Sequence, residues 1–334
     1  MSRSPKHPEI AAAAKLLQAG RLVAFPTETV YGLGANALNA EAVARIYKVK
    51  RRPSTSPLIV HVASMEMAKS LVKNWPEIAD RLAKQFWPGP LTLVLPTASV
   101  ETAAPGCPPR SGAESKSSIP QIVTAGLSTV ALRMPAHPIA LALIEAAGVP
   151  LAAPSANRFT ELSPTTADHV RQSLGDEVDL ILDGGPCEVG IESTVLSLAD
   201  PIPVLLRPGA ISRTELEALI GPLGSAQDTP TGSHPSPGMH ARHYSPSTPL
   251  LLVTNGDVPG QGRGIYLQHR NPAKQNGVTS VQMPAGAAAY AAALYDQLHN
   301  ADAARCDWIA VDLPAQTPDW EAIHDRLRRA ASNS

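Results

Sequence analysis

Lys48, Lys50, Arg51 and Arg52 put four cations into five positions, just before Pro53 and a short β-branched run. Packed that closely they repel one another, and a phosphate chain or other polyanion would relieve the repulsion. The alternative is a solvated helix end whose cations complement the macrodipole. Residues 1–60 together hold nine Lys/Arg against three acids, in a chain of formal net charge −1. More chemistry-bearing residues stand where apolar runs end. The stretch from Pro26 to Gly34 carries Thr27, Glu28 and Thr29 between apolar residues and glycines. Ala153-Pro-Ser-Ala-Asn157 offers a hydroxyl and an amide, Gly190-Ile-Glu-Ser-Thr-Val195 two hydroxyls and a carboxylate, and Arg207-Pro-Gly209 a guanidinium. Each taken singly is equally a structural turn. Four polar strand ends in one α/β unit point to a convergent small-molecule pocket.

The familiar catalytic and nucleotide signatures are missing. There is no GxxxxGK[ST] loop, and Gly260-Gln-Gly262-Arg-Gly264 has the wrong spacing for GxGxxG. HExxH and GxSxG are absent, and His240 with His243 is only a weak hint of metal binding. Phosphate chemistry here would have to rest on side chains. Cys107, Cys187 and Cys306 are odd in number and widely spaced, which encodes neither a disulfide framework nor a zinc site. Aromatic residues are 4% of the chain, so a stacking platform for single-stranded nucleic acid is disfavoured. Near neutrality excludes a basic nucleic-acid coat. Met1–Ile10 lacks an apolar signal core, and no apolar stretch approaches the ~18 residues of a membrane span. A soluble, cytoplasmic protein with no membrane association is expected.

The elements that must position these residues alternate. Helices are expected over Glu9–Ala19, Glu41–Lys50, Met65–Lys73, Pro76–Phe86, Pro138–Ala147 and Thr166–Leu174, with a capping box at Ser212–Glu215 before Leu216–Ile220. Short strands are expected at Leu22–Ala24, Pro57–Val62, Leu91–Leu95, Thr129–Arg133, Leu151–Ala153, Asp179–Leu182, Ser193–Leu198 and Val204–Leu206. The pattern argues for a twisted sheet with packed helices. Residues 97–118 read as a surface insertion and 222–248 as an interdomain linker. Beyond the linker, strands at Leu250–Val253, Gly264–Leu267 and Trp308–Val311 and helices at Ala287–Asn300 and Trp320–Ala331 make a small α/β unit. With 334 residues, 44% of them apolar, the chain can fill two cores.

PTETVYGLG at 26–34, KRRP at 50–53, PLIVHV at 57–62, FWPGPLTLVL at 86–95 and TVALRMPAHP at 129–138 together resemble the YrdC-like domain. So do APSAN at 153–157, SPT at 163–165, GIESTV at 190–195 and LRPG at 206–209. SPGMHARHYSP at 236–246, followed by a small α/β unit, is similar to the two-domain form of the threonylcarbamoyl-AMP synthase family. The resemblance covers roughly residues 8–330. It implies a YrdC-like twisted open sheet with flanking helices over residues 8–221, a linker and lid over the active site at 222–248, and a Rossmann-like domain at 249–331.

That family makes L-threonylcarbamoyladenylate from L-threonine, bicarbonate and ATP, releasing pyrophosphate. The product feeds N6-threonylcarbamoyladenosine formation in ANN-decoding tRNAs through a downstream transferase complex. The resemblance places Lys50 and Arg52 on the triphosphate as catalytic cations. It places Thr29, His61, Arg133, Ala153, Ser193 and Thr194 on threonine, and Ser56, Thr129, Ser155, Asn157, Ser163, Arg207 and Tyr244 on ATP beside Lys50 and Arg52. His61 as a core histidine and Asn157 as a loop-fixing residue are the structural alternatives. Mg2+ is expected to arrive on the ATP phosphates rather than on protein ligands. Residues 236–246, with Met239, His243 and Tyr244, are expected to act as a lid, against the alternative of a passive tether. Three departures stand out: Ser56 where the family usually has Asn, Ala153 where some members carry Thr, and a long 97–118 segment. The competing readings are an RNA-binding module without adenylate-forming activity, with at most weak tRNA contact expected here, a carbamoyl-handling hydrogenase-maturation enzyme, and an inactive regulator.

Overall fold

In the computed structural model, described over residues 9–98, 119–225 and 244–331, the chain folds into two α/β units. The first contains α1 (Ile10–Gln18), β1 (Val23–Phe25), β2 (Gly32–Asn36), α2 (Ala40–Lys50), β3 (Ile59–His61), α3 (Met65–Ser70), α4 (Glu77–Phe86), β4 (Leu91–Pro96) and α5 (Gln121–Thr124). It continues with β5 (Thr129–Arg133), α6 (Pro138–Ala147), β6 (Leu151–Ala152), α7 (Ala167–Leu174), β7 (Leu180–Ile181), β8 (Thr194–Ser197), β9 (Val204–Arg207), α8 (Arg213–Ile220) and β10 (Gly224–Ser225). These strands form one mixed sheet in the order β10-β9-β8-β4-β5-β3-β6-β2-β1-β7. The sheet runs on to Ser225, past the end expected at residue 221. Met239, His240 and His243, Cys107 and most of the 97–118 segment lie outside the described residues.

Local chemistry explains the element ends. The Asn39 side chain accepts from the Ala42 amide to start α2, and Arg51 closes it in the left-handed region at φ 52°. Pro138 opens α6 and Gly148 ends it. The Ser212–Glu215 capping box is present at α8. Strand β2 was not expected, because its GLGAN sequence reads as a turn. Its glycines are there for packing: a Cβ on Gly34 would sit 2.7 Å from the Phe25 ring of the neighbouring strand.

Period-2 alternation sets the layers. Leu93 and Leu95 of β4, with Leu132 of β5 and Val60 of β3, face a large core shared with α2, α4 and α7. Ile59, Val94, Ala131 and Val195 face the other way. His61 lies two residues after Ile59, and Arg133 two after Ala131, so both belong to this second face. On that side α1 and α6 cover only one end of the sheet, packing on Val23, Phe25 and Leu151.

The second unit has β11 (Leu250–Val253), β12 (Gly264–Gln268), β13 (Thr279–Gln282), α9 (Ala287–Ala303), β14 (Trp308–Asp312) and α10 (Glu321–Ala331). Its sheet is wholly parallel, in the order β11-β14-β12-β13. The two units share a core. Val30, Leu162 and Ile191 of the first pack with Tyr290, Leu294 and Tyr295 of α9. Gly190, at φ 74°, lies so close to α9 that a Cβ would stand 2.5 Å from the Ala292 Cα.

Candidate active site

Thr27 organises the β1–β2 loop. Its hydroxyl accepts from the Thr29 and Val30 amides at 3.1 and 3.2 Å and donates to the Val30 carbonyl at 2.6 Å. This fixes Thr29 and Val30 in the wall of a cleft. The cleft is lined by Thr29, Arg52, His61, Arg133, Ala153, Ser155, Ser193, Arg207 and Tyr244, all given a substrate role by the resemblance, and by Glu192, offered from sequence only as the carboxylate of the polar strand end at 190–195. The four polar strand ends therefore converge.

On one side Arg133 dominates. Its Nη1 donates to Thr29 Oγ1 at 2.8 Å and its Nε to the Gly89 carbonyl at 3.3 Å. Its Nη2 lies 2.7 Å from Glu28 Oε1 in an ion pair that lacks hydrogen-bond alignment. Glu28 is anchored through Oε2, which accepts from the Ala136 amide at 3.0 Å. Two poorly aligned, oppositely charged groups beside a cleft leave the guanidinium edge available to a better-placed carboxylate. His61 is 3% exposed, and its Nδ1 has no hydrogen-bond partner. Burial first, then the charge of Arg133, pushes its pKa down to about 3. At neutral pH it is an uncharged imidazole, able to donate or accept toward a ligand. Ala153 contributes backbone, although its amide already donates to Ile59 at 2.9 Å.

The other side is cationic. Arg52 is 7% exposed, and its Nη2 donates to Ser56 Oγ at 2.7 Å and to the Pro57 carbonyl at 3.1 Å. Its guanidinium lies 5.7 Å from the centroid of the Phe159 ring. No ion pair to a carboxylate is made by Arg52 among the described residues, and burial lowers its pKa to about 10. Arg207 donates to the Ser193 carbonyl through Nε at 3.1 Å and Nη2 at 3.0 Å, and to Ser193 Oγ at 3.1 Å. Tyr244, at φ 64° and 1% exposed, packs its ring 5.8 Å from that of Tyr295.

Six expected site residues do not line the cleft. Lys50 lies behind it: its Nζ donates to the carbonyls of Ser155 and Asn157, so its charge is spent on the APSAN turn. Burial, with the nearby Arg52, pushes the Lys50 pKa well below the ordinary lysine value. Asn157 bridges the carbonyls of Arg158 and Glu161 at 2.9 Å each, the loop-fixing role. Ser56 holds Arg52 in place. Thr194 is tied to Ile211 through both its donor and its acceptor. Ser163 donates to Glu192 Oε1 at 2.5 Å. Thr129 pairs with Pro96 at the opposite end of β5 from Arg133.

Tyr295 and Arg326, two partners of the cleft residue Glu192, were assigned no role from sequence. Glu192 is buried and accepts from Ser163, from Tyr295 Oη at 3.1 Å and from Arg326 Nε at 2.7 Å. The last two come from the second unit, 103 and 134 residues away in sequence, where no local pattern could signal them. Burial alone would raise the Glu192 pKa, but Arg326 and Arg207 hold it below the usual carboxylate range.

A mixed sheet whose strand ends gather three buried arginines, hydroxyls and an uncharged histidine offers several hydrogen-bond donors to an anionic ligand. Residues 15–209 match the Sua5/YciO/YrdC family model, described as telomere recombination, and residues 211–332 match the threonylcarbamoyl-AMP synthase C-terminal domain. The chain belongs to this family. It is 43% identical over 349 residues to the threonylcarbamoyl-AMP synthase of Bacillus subtilis, covering 98% of this chain and 94% of that one. With the Pyrococcus abyssi threonylcarbamoyl-AMP synthase it shares 47% identity over 252 residues, covering 73% and 68% of the two chains. The fold superposes on the crystal structure of P. abyssi Sua5 complexed with L-threonine with a TM-score of 0.83 at 38% identity, covering 97% of this chain and 94% of that one.

Proposed function

We infer that this chain makes L-threonylcarbamoyladenylate from L-threonine, bicarbonate and ATP, with release of pyrophosphate. The observation that carries the reading is one cleft that gathers Arg133, beside Thr29, with two further buried arginines, Arg52 and Arg207. A relative that covers nearly the whole chain, and a neighbouring structure that holds L-threonine, support it.

The chemistry asks little covalent work of the protein. The threonine amine adds to the carbon of carbon dioxide supplied by bicarbonate, losing a proton and leaving a carbamate. A carbamate oxygen attacks the α-phosphorus of ATP while the bond to the β-phosphate oxygen breaks. Positioning and neutralisation of the developing charge dominate such a displacement. Arg133 and Thr29 grip the threonine carboxylate, with neutral His61, Ala153 and Ser193 around the amino acid. Arg52 and Arg207 take the phosphates, Ser155 and Tyr244 border the nucleotide, and Lys50 and Asn157 brace the turn beneath it. Mg2+ enters on the triphosphate. The cleft suits that, because its nearby carboxylates Glu28 and Glu192 are already engaged by Arg133 and Arg326.

The adenylate passes to a transferase complex acting on ANN-decoding tRNA, with only weak tRNA contact by this chain. Among the described residues no helix is long and apolar enough to cross a membrane. We place the reaction in the cytoplasm, in keeping with free thiols at Cys187 and Cys306.

The test is pyrophosphate release from Mg·ATP, omitting threonine or bicarbonate in turn. Release that needs both substrates, and falls by at least ~100-fold in Arg52→Ala, is the expected result. Release indifferent to threonine, or tight tRNA binding without release, would overturn the synthase reading.

A further inference from the structure

Among the described residues the second unit reaches Glu192 of the cleft wall through Tyr295 and Arg326. Arg326 of α10 is 1% exposed, and its Nε meets Glu192 Oε2 at 2.7 Å. Its Nη1 meets Asp325 Oδ2 at 2.6 Å and its Nη2 donates to the Pro208 carbonyl at 3.0 Å. Glu192 lines the cleft and immediately precedes Ser193, the residue whose carbonyl and hydroxyl hold Arg207. Without Arg326, a buried carboxylate would face the phosphate side of the site with Arg207 as its neighbouring cation. It would draw that guanidinium off Ser193 and cancel the charge that a triphosphate needs.

We propose that Arg326 is a positioning residue for ATP binding. By occupying Glu192 it keeps Arg207 on Ser193 and keeps the cleft wall from repelling phosphate. This rests on the synthase reading, and it gives the C-terminal domain a share in nucleotide affinity. The Arg326 guanidinium also lies 5.3 Å from the centroid of the Tyr244 ring, and the test must separate these two contacts.

The experiment compares the full-length wild type with Arg326→Met, Glu192→Gln and the double variant, varying ATP and threonine separately in the pyrophosphate assay. Arg326→Met is expected to raise the ATP KM about tenfold, with the threonine KM within about twofold. Adding Glu192→Gln removes the exposed charge, and the double variant recovers an ATP KM within about threefold of wild type. A simple staple between domains, or a lost support for Tyr244, predicts no such recovery. A double variant as impaired as Arg326→Met, or a joint rise of both KM values, overturns the proposal. Should Arg326→Met not fold, Glu192→Gln decides: an ATP KM at or below wild type supports the proposal, and a tenfold rise overturns it. Calorimetric ATP binding to the same proteins reads the effect even if threonine-dependent turnover fails, so the two readings fall separately.

Discussion

Arg52 in the cleft and Arg326 at the domain seam are both almost wholly removed from water, at 7% and 1% exposure. Arg326 has two carboxylates and a carbonyl, and against the effect of burial the neighbouring Tyr244, Glu192 and Asp325 raise its pKa well above the ordinary value. Among the described residues Arg52 donates to a hydroxyl and carbonyls and lies against the Phe159 ring, and burial brings its pKa down to about 10. Arg326, matched by two carboxylates, serves the fold, because removing a partner strands a charge. A buried cation held only by neutral oxygens costs stability in the free protein and recovers it when an anion arrives. A different contrast separates Arg51 from Arg52. Adjacent in sequence, one is exposed in a left-handed helix cap and the other is turned into the site.

Substitutions at the cleft and at the seam test this contrast. Arg133→Lys keeps the charge but loses the fork that reaches Thr29 and a carboxylate together. The threonine kcat/KM is expected to fall about a hundredfold, or ~3 kcal/mol, with the ATP KM little changed. An equal loss for both substrates would show that Arg133 is not dedicated to threonine. At the seam, Gly190→Ala drives a Cβ into the α9 backbone at a positive φ and should lower unfolding stability by about 2–3 kcal/mol in urea melts. A smaller loss would mean that the units dock loosely.

His61 gives the cleft a pH signature. Its folded-state pKa, about 3, lies below the unfolded value, so the unfolded chain binds the extra proton as pH falls below about 6.5. That contribution is fully present above pH 6.5 and is lost between there and pH 3, about 2 kcal/mol of it between pH 7 and 5. The pH slope of stability should shrink in His61→Gln; an unchanged slope would show that His61 is already charged or solvated. Smallest of all, Arg51→Gly relieves the φ 52° backbone and should stabilise by less than about 1 kcal/mol while leaving turnover within twofold. A large loss of turnover would move Arg51 into the site.

Much of this was legible beforehand. Alternating helix and strand signals located both sheets, and four polar strand ends marked the cleft before any packing was known. Strand β2 was hidden because its glycines serve the Phe25 ring of a neighbouring strand, a tertiary reason that a local reading takes for a turn. Edge strand β13, mostly exposed and polar, gave no alternation to detect. Lys50 and Arg52 could not be told apart by spacing. The acceptors that claim Lys50 lie in the APSAN turn, more than 100 residues away. Glu192 and Arg326 are separated further still and meet only once both units have docked.

The most direct test of the contrast is a pair of thermal melts, Arg52→Met against Arg326→Met, each run with and without ATP and threonine. Arg52→Met should melt at or above wild type and lose the stabilisation by substrates. Arg326→Met should melt several degrees below wild type without ligand. If Arg52→Met falls as far as Arg326→Met in the absence of ligand, the cleft arginines are ordinary structural cations and the account fails.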